Sequence, residues 1–292
     1  MKEVMRMRDV IYAGSFNAGS CFLIRGDVNV ITDPGMAWCA DRTAAAIEEA
    51  IGKEEVAAIL LTHSHYDHVA ALPYFRKRWP EAKVYAAAYA IEILRKPAAR
   101  QTMRRLSDEA ARENGAVIGD DYDEELLGAD AAVADGDVLE FGDMTVKVTA
   151  TPGHTRDSVS YLIDGDLLMS SESMGFINSD GTYNPQFLVS YSDARKSLDK
   201  SIAMAPARLC IPHNGMFEKP DSRFWSFFTD GIVESRDFML QLLKKYPTQE
   251  ERIMAMEKRY WHPERFGGWP REAYDVNAKA MLRTIARESG LD

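Results

Sequence analysis

The chain has 292 residues, 46% hydrophobic and 27% charged, and its 45 acidic against 35 basic residues leave a formal net charge of −10. That length suits one large domain or two small ones, and the composition excludes disordered, collagen-like and low-complexity chains. The acidic balance disfavours nucleic acid, no apolar run reaches the roughly 18 residues of a membrane helix, and the scattered Cys21, Cys39 and Cys210 make neither a CxxC zinc pair nor a disulfide framework.

The opening MKEVMRMRDV lacks the apolar stretch of a signal peptide, so a cytoplasmic location is expected. Residues 21–24 and 28–32 are β-rich runs around the turn Arg25-Gly26-Asp27, and Asp33-Pro34-Gly35 ends the second as a loop. Asp41 is placed to cap a helix running to Ile51, with Ala44, Ile47 and Ile51 on one face. Residues 56–61 read as a short buried strand, 62–68 as a loop, 69–79 as a helix stopped by Pro80, and 83–86 as the next strand. Residues 88–130 read as a helical insertion between strands, with a helix-prone stretch over 91–114 and an acidic loop at 119–125.

β structure resumes in a hairpin, 138–141 and 144–149, turning at Gly142-Asp143. The loop Thr151-Pro152-Gly153-His154-Thr155 leads to a second hairpin, 159–163 and 167–170, whose turn carries Asp164 and Asp166, both expected to be solvated. A helix over 192–204 and a strand over 209–211 follow; on that strand Cys210 is expected to pack in the core. After Gly215 the pattern is helical: 221–246, with Phe224, Phe228, Ile232 and Met239 in register, then a helix to about 261 opened by the capping box Thr248–Glu251, then a third from Pro270. The expected division is a catalytic unit over 1–218 and a helical cap over 219–292.

The chemistry concentrates in Thr62-His63-Ser64-His65-Tyr66-Asp67-His68, which holds three of the six histidines of the chain and places four metal-ligating side chains within six positions. Imidazole suits zinc, iron, copper and nickel, and carboxylate hardens a site. His154 and His213 sit in loops at strand ends, where folding can deliver them; either alone would more often be a structural histidine. His262, in the helical appendage, reads as structural or pocket-lining.

THSHYDH resembles the HxHxDH signature of the metallo-β-lactamase-fold hydrolases, and TPGHT, SSESMG and IPHNG match that family's later motifs in order and spacing, over roughly residues 11–216. The resemblance implies an α+β fold, a four-layer αββα sandwich, with a dinuclear centre at the edge between the sheets. It further implies that His63, His65 and His154 hold one metal and Asp67, His68 and His213 the other, with Asp33 organising the loops nearby. Where the family usually carries a bridging aspartate, this chain has Glu172, one methylene longer; it could bridge, bind one metal, or shift the metal spacing, and its bland alternative is a surface acid after a strand.

Two divalent ions are therefore expected, zinc first, with iron or manganese also admitted by the ligands. The expected chemistry is hydrolysis by a metal-bound hydroxide of a carbonyl ester, thioester or lactone, with Asp67 and Glu172 as the catalytic carboxylates. The alternatives are a small phosphodiester, iron-dependent redox chemistry as in other superfamily members, or a non-enzymatic sensor. The C-terminal helices resemble the caps of glyoxalase II-like and thioesterase-like members. Phe176, Tyr183, Phe187 and Tyr191 are candidates to line the approach, and Phe224, Trp225, Phe227, Phe228, Trp261 and Trp269 to pack the cap, some of them as a roof. The expected partner is a small molecule, with neither nucleic acid nor membrane, and a homodimer is compatible with the sequence.

Overall fold

The computed structural model describes residues 7–14, 20–261 and 271–291. In chain order come β1 (Asp9–Tyr12), β2 (Phe22–Arg25), β3 (Asn29–Thr32), α1 (Ala40–Ile51), β4 (Val56–Leu60), α2 (Tyr66–Val69), α3 (Leu72–Arg78), β5 (Lys83–Ala87), α4 (Ala88–Leu94), α5 (Pro97–Glu113) and β6 (Ala131–Val133). The six strands form one sheet in that order, antiparallel from β1 to β3 and parallel from β3 to β6.

The second half repeats the scheme. β7 (Val138–Phe141), β8 (Met144–Ala150), β9 (Val159–Ile163) and β10 (Leu167–Met169) form an antiparallel meander. A small hairpin, β11 (Phe176–Ile177) with β12 (Tyr183–Asn184), and α6 (Tyr191–Ala203) lead to β13 (Arg208–Ile211) and β14 (Gly215–Glu218). The second sheet has the order β14-β13-β10-β9-β8-β7, with β13 parallel to β10. Three helices complete the chain: α7 (Ser222–Lys245), α8 (Gln249–Tyr260) and α9 (Arg271–Glu288).

Side-chain alternation along the strands makes four layers from these parts. Ile24, Val30, Ala58 and Leu60 of the first sheet meet Val146, Val148, Tyr161 and Cys210 of the second in one central core. The opposite face of the first sheet, through Leu23, Ile31, Ile59 and Val84, packs on Ile47, Ile51 and Phe75 of α1 and α3 and on Met103 of α5. The opposite face of the second, through Leu168, Leu209 and Ile211, packs on Leu198, Phe228, Ile232 and Met239 of α6 and α7. On β13, Cys210 faces inward while its neighbours Leu209 and Ile211 face outward, which is the period of two at single-residue resolution. No described helix is long and apolar enough to cross a membrane.

Local chemistry accounts for most of the boundaries. Asp221 and Thr248 cap α7 and α8 through their side chains, the second as a full capping box. Asp41 does not cap α1: the cap position is Cys39, with no side-chain bond, and Asp41 lies in the first turn, where its charge suits the helix dipole. The helix expected over 69–79 is two, α2 and α3, with Pro73 in the first turn of the second. The stretch 91–114 is likewise divided at Pro97, which starts α5 and keeps Lys96 extended. The edge strands β1 and β14 and the β11–β12 hairpin are short and were not expected.

Asp166 is buried and Asp164 half-buried, each in an ion pair rather than free in solvent. Arg8 Nε lies 2.5 Å from Asp164 Oδ2, and the buried Arg208 lies 3.0 Å from Asp166 Oδ2. The turn fastens the first strand's leading segment to the second sheet.

Candidate metal centre

β3, β4 and β5 run parallel, as do β10 and β13, so the loops at their C-terminal ends collect at one edge of each sheet. β8 is antiparallel to β9, and β9 to β10, so β8 ends on the same side as β10. Asp33 follows β3, the Thr62–His68 segment follows β4, His154 follows β8, Glu172 follows β10 and His213 follows β13. A backbone bond from Val159 N–H to Thr62 C=O (2.9 Å) ties the two sheets together beside the site.

Two groups of potential ligands result, each with its donor atoms within 4.8 Å of one another: His63, His65, His154 and Glu172 in one, Asp67, His68, Glu172 and His213 in the other. Glu172 belongs to both. Its Oε1 lies 2.9 Å from His68 Nε2 and 2.7 Å from His213 Nε2, and its Oε2 lies 3.0 Å from His154 Nε2. It is buried, so the reading of a surface acid does not hold. Asp67 Oδ2 lies 3.4 Å from His213 Nε2 and 3.6 Å from His68 Nε2. All of these side chains are buried except His65, which is half-buried and faces an opening.

Hydrogen bonds outside the cluster set the imidazole tautomers. Asp33 accepts from Thr62 N–H (2.8 Å) with Oδ1, and from Thr62 Oγ1–H (2.6 Å) and His68 Nδ1–H (2.9 Å) with Oδ2. Because Thr62 Oγ1 spends its proton on Asp33, it accepts from His63 Nδ1–H at 3.0 Å. His154 Nδ1–H donates to the Gln186 carbonyl at 2.8 Å. With Nδ1 engaged outside the cluster, His63, His68 and His154 all turn Nε2 into it. His63 Nε2 is buried with no hydrogen-bond partner. A buried acceptor left bare is costly and rare, and a cation is the partner that fits this one.

The remaining supports are polar and local. Ser173 Oγ accepts from His154 N–H (3.1 Å) and donates to the Thr151 carbonyl (2.5 Å), joining the His154 loop to the Glu172 turn. Asp157 accepts from Ser64 N–H at 2.8 Å. Gly153 has φ 136°, and a Cβ there would stand 2.4 Å from the Ala194 backbone, so the residue before His154 must be glycine.

The charges are as polarised as the geometry. Burial, then His68, His65 and His154, push His63 well below the ordinary imidazole range. Burial carries His154 down to about 4 against the pull of Glu172. Burial opposes protonation of His68 and His213 too, but the facing carboxylates prevail: Asp67 and Asp33 hold His68 well above its ordinary value, and Glu172 and Asp67 raise His213 to about 9. Burial would raise Glu172 and Asp67, yet the surrounding imidazoles hold both low, Glu172 strongly so. The site is thus built for cations, whether protons or metals, between fixed carboxylates.

The cluster opens on a chamber of about 240 Å³. His65, Asp67, His154 and Glu172 form its floor; Thr102, Arg105 and Leu106 of α5 and Ala273, Val276 and Asn277 of α9 form its walls. Arg105 and Glu272 pair at 2.5 Å, linking the two helices.

The four aromatic residues expected to line the approach do not line this chamber. Phe176 and Phe187 are buried in the outer core of the second sheet, Phe176 with its ring 5.7 Å from that of His213. Tyr183 donates its hydroxyl to the Met174 carbonyl at 3.0 Å, and Tyr191 stacks edge-on against Phe187 at the start of α6. The cap aromatics Phe224, Trp225, Phe227, Phe228 and Trp261 likewise pack with that core, and α9 approaches the site through small and aliphatic residues instead. His262 and Trp269 lie outside the described residues.

A family model for the metallo-beta-lactamase superfamily matches residues 14–213. A hydroxyacylglutathione hydrolase of Rhodopseudomonas palustris is 29% identical over 147 residues, 48% of this chain and 45% of that protein. A probable metallo-hydrolase of Bacillus subtilis is 29% identical over 162 residues, 54% of this chain and 67% of that one. The chain thus spans about half the length of the hydroxyacylglutathione hydrolase it matches. Among solved structures, an archaeal metallo-beta-lactamase superfamily protein from Sulfolobus tokodaii superposes with a TM-score of 0.60 over 97% of this chain and 99% of that one; at 19% identity this likeness speaks for the fold alone.

Proposed function

The chain belongs to the metallo-beta-lactamase superfamily, and from that premise we propose that it is a metal-dependent hydrolase of a small ester, thioester or lactone. The observation that carries the reading is the pair of ligand groups sharing Glu172 at the floor of one small chamber. His63, His65, His154 and Glu172 would hold one divalent ion, and Asp67, His68, His213 and Glu172 the other. Such ions bring water to a nucleophilic state near neutral pH and stabilise the oxyanion of acyl transfer. Imidazole with carboxylate favours zinc and admits iron or manganese.

The protein's own residues supply placement. Asp33, Thr62 and the Gln186 carbonyl hold three imidazoles by Nδ1, so that each directs Nε2 inward for a metal to take. Asp67 stays ionised and lines the chamber, so its carboxylate is placed to accept a proton from the attacking water. Leu106, Ala273 and Val276 exclude bulk water from one side of a bound acyl group, and Arg105 offers a charge to its polar end.

The thioester version draws support from the hydroxyacylglutathione hydrolase relative. The chamber's volume suits a small molecule, and the net charge of −10 speaks against nucleic acid. A cytoplasmic setting accords with three buried cysteines that form no disulfide among the described residues. The decisive experiment is elemental analysis of purified protein followed by a panel of thioesters, esters, lactones and small phosphodiesters. We expect near-stoichiometric metal and turnover of an acyl substrate. Metal-replete protein that turns over only phosphodiesters, or consumes oxygen or persulfide instead, overturns the proposal.

A further inference from the structure

A second cavity, of about 520 Å³, adjoins the reaction chamber. The two share His65, Tyr66, Thr102 and Leu106, so they meet at a side chain of the metal centre itself. The rest of the second cavity is a largely apolar groove: Tyr89 and Ile93 from α4, Ala99 and Met103 from α5, and Val189 from the loop before α6. Of its polar groups, the Tyr66 hydroxyl is buried without a hydrogen-bond partner and the Arg156 guanidinium lies 5.9 Å over the Tyr89 ring, while Asp157 and Thr155 are engaged. Asp157 holds Ser64 N–H, and the Thr155 and Ser158 hydroxyls bond each other at 2.7 Å. Along Tyr89, Ile93, Ala99, Met103 and Val189 an occupant gains apolar contact, and Tyr66 and Arg156 are the polar groups left open to it.

The groove is also preformed. The buried Arg100 fixes α5 by donating to the Leu94 carbonyl at 2.6 Å and the Leu127 carbonyl at 3.2 Å, and by pairing with Glu125 at 2.6 Å. A rigid wall costs little ordering on binding, while Met103 can adapt its shape to the occupant.

We propose that this groove receives the apolar arm of an ester or thioester whose scissile carbonyl lies at the metal centre, so that the preferred substrate carries a hydrocarbon arm of several carbons. The inference rests on the hydrolase reading for its chemistry. An arm leaving a carbonyl at the centre meets the groove directly at His65, while the smaller chamber, with Arg105 and Asn277 in its wall, keeps the polar part. The insertion helices, rather than the C-terminal ones, would then select for chain length.

The test uses the zinc-loaded full-length protein and titrates hexanoate, octanoate and decanoate calorimetrically, with Ala99→Trp to fill the groove and Ile93→Ser to weaken its apolar wall. Affinity should rise about fourfold per methylene until the groove is full. Both variants, still folded and still binding zinc, should flatten that rise to less than twofold. A wild-type affinity that ignores chain length, or an equal slope in both variants, overturns the groove. If the slope is present and lost in the variants while no ester or thioester is turned over, the hydrolase reading fails and the groove stands. If short esters are turned over without any chain-length effect, the groove fails alone.

Discussion

Replacing Asp33 by asparagine keeps the shape of the side chain and removes its charge. In the native site Oδ1 accepts the Thr62 backbone N–H, while Oδ2 accepts from both Thr62 Oγ1 (2.6 Å) and His68 Nδ1 (2.9 Å). Asparagine can keep the first bond through its carbonyl, but its NH2 then confronts two donors. His68 can answer only by moving its proton to Nε2, the atom that lies 2.9 Å from Glu172 Oε1 and should present a lone pair. A hydrogen bond to a charged partner contributes about 1.5–3 kcal/mol. At about 1.4 kcal/mol per tenfold, metal affinity should fall roughly 10- to 150-fold, in line with the usual effect of losing a partner behind a ligand. The loss should fall mainly on the group containing His68 and His213, since Asp33 reaches the other group only through Thr62 and His63. Competition against a chromophoric chelator, with circular dichroism to verify folding, measures it. A folded Asp33→Asn protein that binds two metals with wild-type affinity refutes the argument that Asp33 sets the His68 tautomer.

Glu172→Ala removes the only carboxylate common to both ligand groups; elemental analysis should find at most one metal per chain and activity should drop at least 100-fold, whereas retention of both metals would show that Glu172 holds neither. The metal-free site keeps protons on His68 and His213, the latter up to about pH 9. Metal must displace them, so apparent affinity should rise with pH between about 6 and 8, by about tenfold per unit for each proton released; titrations in buffers of different ionisation enthalpy should show the release, and a pH-independent affinity would contradict it. Gly153→Ala forces a Cβ to within 2.4 Å of the Ala194 backbone at φ 136°. Urea denaturation should show a loss of at least about 1–3 kcal/mol from the backbone strain, with weaker metal binding through the shifted His154; a loss under about 0.5 kcal/mol would mean the loop relaxes freely.

The gathering of these potential ligands was legible in the sequence because much of its logic is local. His63, His65, Asp67 and His68 are close in the chain, and His154, Glu172 and His213 each follow a recognisable strand. Parallel strands bring such ends to one edge, but it was the resemblance of the ordered motifs, not strand position alone, that singled out His154, Glu172 and His213 as donors. Glu172 was legible as a departure, and its burial between three imidazoles gives it a central position. Asp33 was expected to organise loops, but that it orders the proton positions of two histidines depends on distances across 29 and 35 residues, which no spacing encodes.

The chamber walls were not legible, for a related reason. Aromatic residues after Glu172 and along α7 announce a large apolar surface, but not which face of the sheet it covers. The helical stripe of Phe228, Ile232 and Met239 matches the outer face of β13 and β10, and that match draws the aromatics away from the metal edge. The wall positions go instead to α5 and α9, whose contributions, Thr102, Arg105, Leu106, Ala273, Val276 and Asn277, mix polar and aliphatic residues with no aromatic run to single them out. A residue lining a binding site need not be strongly apolar if packing elsewhere fixes its helix. On α5 the buried Arg100 and Met103 fix the helix, and Thr102 between them and Arg105 after them line the chamber. On the proposed reading, selectivity resides in side chains whose replacement costs the fold little, beside a candidate ligand cluster whose replacement would cost the chemistry.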